Sequence, residues 1–136
     1  MSFTPAEREL LAQLADVLIP PAEGHLSASA AGVAAAGLDA VLETCPEMAA
    51  GLRELLGKAV GRSAADAVAD FRKNDAAAFG ILAEFAAGAY FMNPAVRQTI
   101  AYEGQTARAI DPRPDYLDDG LLDSVIARGP VYRPTP

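Results

Sequence analysis

The sequence predicts an all-α protein: a small helical bundle around a central apolar helix at about residues 75–92, with a Pro-rich extended C-terminal arm. Three observations carry that prediction. Much of the 51% apolar content is alanine, the best intrinsic helix former because it loses no side-chain entropy on ordering. Apolar residues recur at three- and four-residue spacing between recognisable capping residues. No segment alternates apolar and polar residues long enough to read as a half-buried strand. With 136 residues the chain is one domain's worth and can bury a real core. Residues 1–105 read as the bundle domain. Residues 106–136 read as the arm, part of that same domain or docking on a partner.

The elements follow in order. Thr4-Pro5-Ala6-Glu7 is a capping box with proline at the first helical position, opening a helix over roughly 5–18. Leu10, Leu11, Leu14, Val17 and Leu18 form its apolar stripe, and Pro20-Pro21 ends it. From Ile19 to Gly37 the chain reads as a long connection rich in Pro, Gly, Ala and Ser, of the kind that is usually functional or mobile. Its last part, Gly32 to Ala36, already has helical character. The next helix holds Leu38, Val41 and Leu42 and ends near Cys45. Pro46 opens another, with Met48, Leu52, Leu55, Leu56 and Val60 on one side and Gly61 as terminator. Ser63 caps a short helix through Ala67, Val68 and Phe71.

Asp75 then caps the central helix. Phe79, Leu82, Phe85, Ala86, Ala89 and Tyr90 share one face. Ala76, Ala77, Gly80, Ala83, Ala87 and Gly88 make the other small rather than polar. A helix apolar all round is expected to be buried, and Glu84, its single charge, is then expected to need a partner such as Arg72, Arg97 or a cation of another chain. The run is shorter than the roughly 20 residues a membrane span needs, and a central carboxylate would add about 2.5–3.5 kcal/mol. A core helix is therefore expected. Asn93-Pro94 stops it, because a residue before proline avoids the helical region. Pro94 begins a short helix with Val96, Ile100 and a solvated Arg97, and a turn follows at 102–105. Thr106 to Tyr116 has no periodicity, and DPRPDY reads as an extended strap. Residues 118–126 suggest a last short helix, closed by Arg128-Gly129-Pro130.

The net charge of −7, with basic residues dispersed, lacks the clustered cationic face that nucleic acids and anionic membranes require. His25 is the only histidine and Cys45 the only cysteine. A histidine–thiolate metal set is therefore missing. His25 reads as an exposed loop residue, and Cys45 as a small buried filler rather than a nucleophile. The aspartates at 111, 115, 118, 119 and 123 fit no calcium loop. Phosphate-binding glycine loops, the nucleophile elbow and the zincin motif do not occur. No catalytic, cofactor-binding or metal residue is assigned. The alternatives are a small helical enzyme using a buried carboxylate, Glu84 or an aspartate in a pocket between helices, and a helical interaction module without an enzyme partner.

Several stretches carry a family likeness. Leu14-Ala15-Asp16-Val17-Leu18-Ile19-Pro20-Pro21 resembles the opening motif of the gluconate 2-dehydrogenase subunit 3 family. Tyr90-Phe91-Met92-Asn93-Pro94-Ala95-Val96 resembles its aromatic pair and "x-[DN]-P-x-V" step. Ile100-Ala101-Tyr102-Glu103-Gly104 resembles its "glycine-or-alanine, tyrosine, x, glycine" turn. The runs from Gly120 to Val125 and from Arg128 to Arg133 are similar to its C-terminal arm. The resemblance implies a non-catalytic small subunit that binds and stabilises a large FAD-dependent GMC-type (glucose–methanol–choline) oxidoreductase acting on sugars or alcohols. FAD would sit in that partner and none in this chain, and a cytochrome c is a further candidate partner as electron acceptor. A cytoplasmic location is expected for the chain as it stands, or a periplasmic one where a twin-arginine leader is removed or supplied elsewhere. Tyr and Arg are enriched at interface hot spots, so Tyr102, Tyr116, Arg128, Tyr132 and Arg133 are the expected partner contacts.

Overall fold

The computed structural model describes residues 2–105, 107 and 118–131. The protein is all-α: the described residues form seven α-helices and a π-helical turn, with one isolated bridge between Ala22 and His25 in place of any strand. The helices are α1 (Pro5–Leu18), α2 (Leu38–Thr44), α3 (Met48–Ala59), α4 (Ala64–Asn74), α5 (Ala76–Met92), α6 (Pro94–Thr99) and α7 (Asp123–Arg128). The chain divides into two units, Met1–Glu103 and Gly104–Pro136. The strap at 111–116 lies outside the described residues.

Local chemistry sets most boundaries. The Thr4 hydroxyl accepts from the Glu7 N–H while the Glu7 carboxylate accepts from the Thr4 N–H at 2.7 Å, the reciprocal capping box that starts α1. Ser63 caps α4 by accepting from the Asp66 N–H. Helix α3 begins at Met48 rather than at Pro46, after a turn in which the Met48 N–H reaches the Cys45 carbonyl. Val60, expected on its apolar side, is an exposed C-cap instead. Cys45 is only half-buried.

Helix α5 is the hub of the first unit, packing against α1, α2, α3, α4, α6 and the π-helical turn. Leu82, Phe85, Ala86, Ala89 and Tyr90 are buried there with Leu11, Leu14, Leu38, Leu52, Leu55 and Phe71. Each large side chain so buried contributes about 1.5–3 kcal/mol. The expectation that α5 is buried all round is corrected: Ala76, Ala77, Gly80, Glu84, Ala87 and Gly88 are exposed. Alanine and glycine present so little apolar area that leaving them in water costs almost nothing. Glu84 is therefore solvated and needs no partner; neither Arg72 nor Arg97 pairs with it. No helix among the described residues is long and apolar enough to cross a membrane.

Asp75 joins three helices. It ends α4, its Oδ1 accepts from the Ala78 N–H at 3.0 Å to cap α5, and its Oδ2 accepts from Lys58 Nζ of α3 at 2.8 Å. Lys58 also pairs with Glu54 at 2.8 Å. The Lys58 bond, then the Ala78 N–H, holds the Asp75 carboxyl below its ordinary value of 3.8. The two carboxylates hold the Lys58 ammonium above its ordinary 10.5. A carboxyl depressed by folding stabilises the fold above its unfolded value and loses that contribution as pH falls through the folded one. The lysine contribution is complete at neutral pH and lost only in strong alkali. Thermal unfolding followed from neutral pH to about pH 2.5 will therefore show a smaller acid loss for Asp75→Asn than for the wild type. Equal losses would remove Asp75 from the acid response.

Candidate functional site

The connection between α1 and α2 is not a free loop. Ser27, Ala28, Ala31, Val33 and Ala34 are buried, and the chain passes through the π-helical turn Val33–Gly37 straight into α2. Its wide geometry appears in two i→i+5 bonds, Val33 N–H to Ala28 O at 3.0 Å and Gly37 N–H to Gly32 O at 3.1 Å. Ala35 kinks it at φ −104°, ψ −109°.

Side chains from elsewhere hold this segment down. Asp16 of α1 accepts from the Ser29 N–H at 2.7 Å, and the Ile19 carbonyl accepts from the Ala28 N–H at 3.0 Å. The Tyr90 hydroxyl donates to the Leu26 carbonyl at 2.7 Å. Asn93 donates through Nδ2 to the Ala31 carbonyl at 2.7 Å, while its Oδ1 caps α6 by accepting from the Ala95 N–H at 2.8 Å. Arg8 donates from Nη1 to the carbonyls of Ala34 and Ala35, at 3.1 and 2.9 Å, and pairs through Nη2 with Asp39. Close approach finishes the seam, for a Cβ on Gly37 would lie 3.1 Å from the Ala89 Cβ and 3.2 Å from the Gly32 carbonyl oxygen.

Two stretches singled out in the sequence thus meet on one segment. Asp16 belongs to the first and Tyr90 and Asn93 to the second, and all three secure residues 26–31. Their partners lie far away in sequence, so spacing gave no signal for them. Arg8 was missed because it stands among the charges of the first helix.

The third stretch closes α6. The Tyr102 N–H reaches the Arg97 carbonyl at 2.8 Å and the Ala101 N–H reaches the Gln98 carbonyl at 3.0 Å, a Schellman motif. Its left-handed residue is Ala101, at φ 53°, where glycine is usual. The position matched to "glycine-or-alanine" is therefore the one that must enter the left-handed region.

Around this end of the hub lies an apolar surface. A shallow groove of about 240 Å³ is lined by Ala31, Ala36, Gly37, Ala40, Ala89, Met92, Asn93 and Pro94. A more polar one of about 570 Å³ runs along Pro94, Arg97, Gln98, Ala101, Tyr102 and Glu103. They share Pro94. Phe91, Met92, Ile100 and Tyr102 remain 53, 45, 43 and 53% exposed. The Phe91 ring stands edge-on to the Tyr90 ring at 5.4 Å and 82°.

Of the expected partner contacts, Tyr102 is on this surface. Arg128 ends α7 in the second unit and is exposed. Tyr116, Tyr132 and Arg133 lie outside the described residues. Leu121, Val125, Ile126 and Val131 of the second unit are exposed apolar residues that sequence reasoning did not single out. His25 is exposed in a tight turn. No three His, Cys, Asp or Glu side chains among the described residues converge as metal ligands. Glu84 is exposed on the open face of α5. Compared with known proteins, the chain matches no family model, no curated protein and no solved structure.

Tyr90→Phe will lower stability by about 1–2 kcal/mol, since it leaves the Leu26 carbonyl without its donor. Asn93→Ala, which removes a cap and a tertiary bond together, will cost more than Tyr90→Phe, about 2–3 kcal/mol. Ala101→Gly will raise stability by up to about 1 kcal/mol by relieving the left-handed alanine. Urea unfolding of the three variants checks the order, and a destabilised Ala101→Gly would refute the assignment of strain.

Proposed function

We propose that this chain is a non-catalytic small subunit that binds and stabilises a large FAD-dependent GMC-type oxidoreductase acting on sugars or alcohols. The observation that carries the reading is where the resemblance-bearing residues stand. Asp16, Tyr90 and Asn93 fix the connection against the hub, and the Ala101–Tyr102 turn closes α6, all at the end of the bundle that exposes Phe91, Met92, Ile100 and Tyr102. A rigid scaffold that displays large apolar side chains is what a docking surface requires. The exposed apolar side chains of the second unit give the same support.

On this reading flavin and the reacting groups belong to the large subunit. This chain supplies rigid contact area, and its stabilising effect follows from mass action, because it binds the folded partner and not the unfolded one. Co-expression with a GMC-type large subunit from the same genome tests it. A yellow complex will be captured on a tag carried by this chain, and omitting the chain will lower the soluble, flavin-loaded large subunit. An equally soluble and flavin-loaded large subunit without this chain overturns the stabilising role. The double variant Phe91→Ser, Ile100→Ser will lower stability by about 1–3 kcal/mol, since each side chain is about half covered, and will weaken capture by the folded variant by about 2 kcal/mol or more.

A further inference from the structure

Arg97 is the residue whose environment departs most from its sequence setting. It lies in the last turn of a short helix on the surface, where a solvated side chain is expected, yet it is half-buried. Its Nε is sealed from solvent and has no hydrogen-bond partner, and the guanidinium makes no ion pair among the described residues. Arg8 and Arg62 show the usual outcome, the first holding two carbonyls and Asp39, the second holding Asp70 at 3.0 Å. Only Nε is sealed; the Nη donors stay open and, among the described residues, unengaged, so a charge-assisted pair with an anion is available to them.

The surroundings say which anion. Arg97 and Tyr102 are fixed to one another through the backbone, because the Arg97 carbonyl accepts the Tyr102 N–H at 2.8 Å. Both line the groove of about 570 Å³, together with Pro94, Gln98, Ala101 and Glu103. A planar fork of N–H donors matches a planar carboxylate. Glu103 lines the same groove, and its negative charge disfavours a doubly charged phosphate more than a singly charged carboxylate.

We propose that the Arg97 groove is a carboxylate receptor, filled in the assembled protein by an acidic side chain of the partner subunit. Continuity argues for a polypeptide carrier. The groove shares Pro94 with the apolar groove beside it, and Tyr102 belongs to the exposed apolar surface, so a body covering that surface also covers Arg97. The identity of the carrier rests on the partner reading above; the receptor chemistry does not.

Nitrogen-15 NMR of the Arg97 Nε–Hε pair in the full chain tests the receptor, with benzoate as probe and neutral benzamide as its control at constant ionic strength. Benzoate will shift that resonance saturably and benzamide will not. Arg97→Gln will abolish the response at neighbouring residues, and Glu103→Gln will tighten benzoate binding several-fold. The receptor is overturned by an unmoved resonance, by an equal response to benzamide, or by Glu103→Gln moving the Arg97 resonance with no probe present, which would place Glu103 on the guanidinium already. A second measurement addresses the carrier. Capture of the flavoprotein by Arg97→Gln will weaken about thirty-fold or more, and the loss will shrink as salt is raised. Undiminished capture overturns the carrier and leaves the partner reading standing. If the wild type captures no flavoprotein, partner and carrier fail together, and the benzoate titration alone decides the receptor.

Discussion

Five residues of the connection between α1 and α2 are buried, and they bring into the bundle a backbone that has no continuous helix to satisfy it. Unpaired carbonyls there would each forfeit about 1–3 kcal/mol. Arg8, Tyr90 and Asn93 answer with donors for four carbonyls, two of them on the buried residues Ala31 and Ala34, and Asp16 accepts the exposed N–H of Ser29. The seam between Gly37 and Ala89 and the entry into α2 require the connection to lie where these side chains hold it.

The hub works on a different principle on each side. Its packed face uses leucine and aromatics to bury area, and its open face uses alanine and glycine, which keep the helix formed without demanding cover. A helix can therefore be apolar in composition throughout and still tolerate water along one side. Glu84 belongs to the tolerant side. Phe91, Met92, Ile100 and Tyr102, large and exposed, lie instead at the C-terminal end of α5 and around α6.

The helices were legible because the information that makes them is local. The capping box at Thr4, the serine cap at 63, the aspartate at 75 and Asn93-Pro94 act within a few residues of their own positions, and each works in the structure as its spacing suggests. The connection was illegible for the opposite reason. Its order comes from bonds such as Tyr90 to Leu26 and Asn93 to Ala31, which join residues 64 and 62 positions apart. An alanine- and glycine-rich segment gives no sign of such donors. Glu84 and Arg97 were misplaced in opposite directions, since average hydropathy along a helix does not say which of its faces neighbours reach. Tyr102 was singled out because tyrosine is enriched at interface hot spots; what it shares a groove with could not be read from spacing.

Asn93 closes α5, opens α6 and holds the connection, so a change in its amide would be felt in three places at once. Asparagine ages chiefly when the next backbone nitrogen attacks the side-chain amide and closes a succinimide ring. Here that nitrogen belongs to Pro94, which carries no hydrogen and is already fully substituted. The proline that ends the hub therefore also guards the residue before it from deamidation, and the keystone amide of the bundle has a chemical lifetime longer than that of an ordinary surface asparagine.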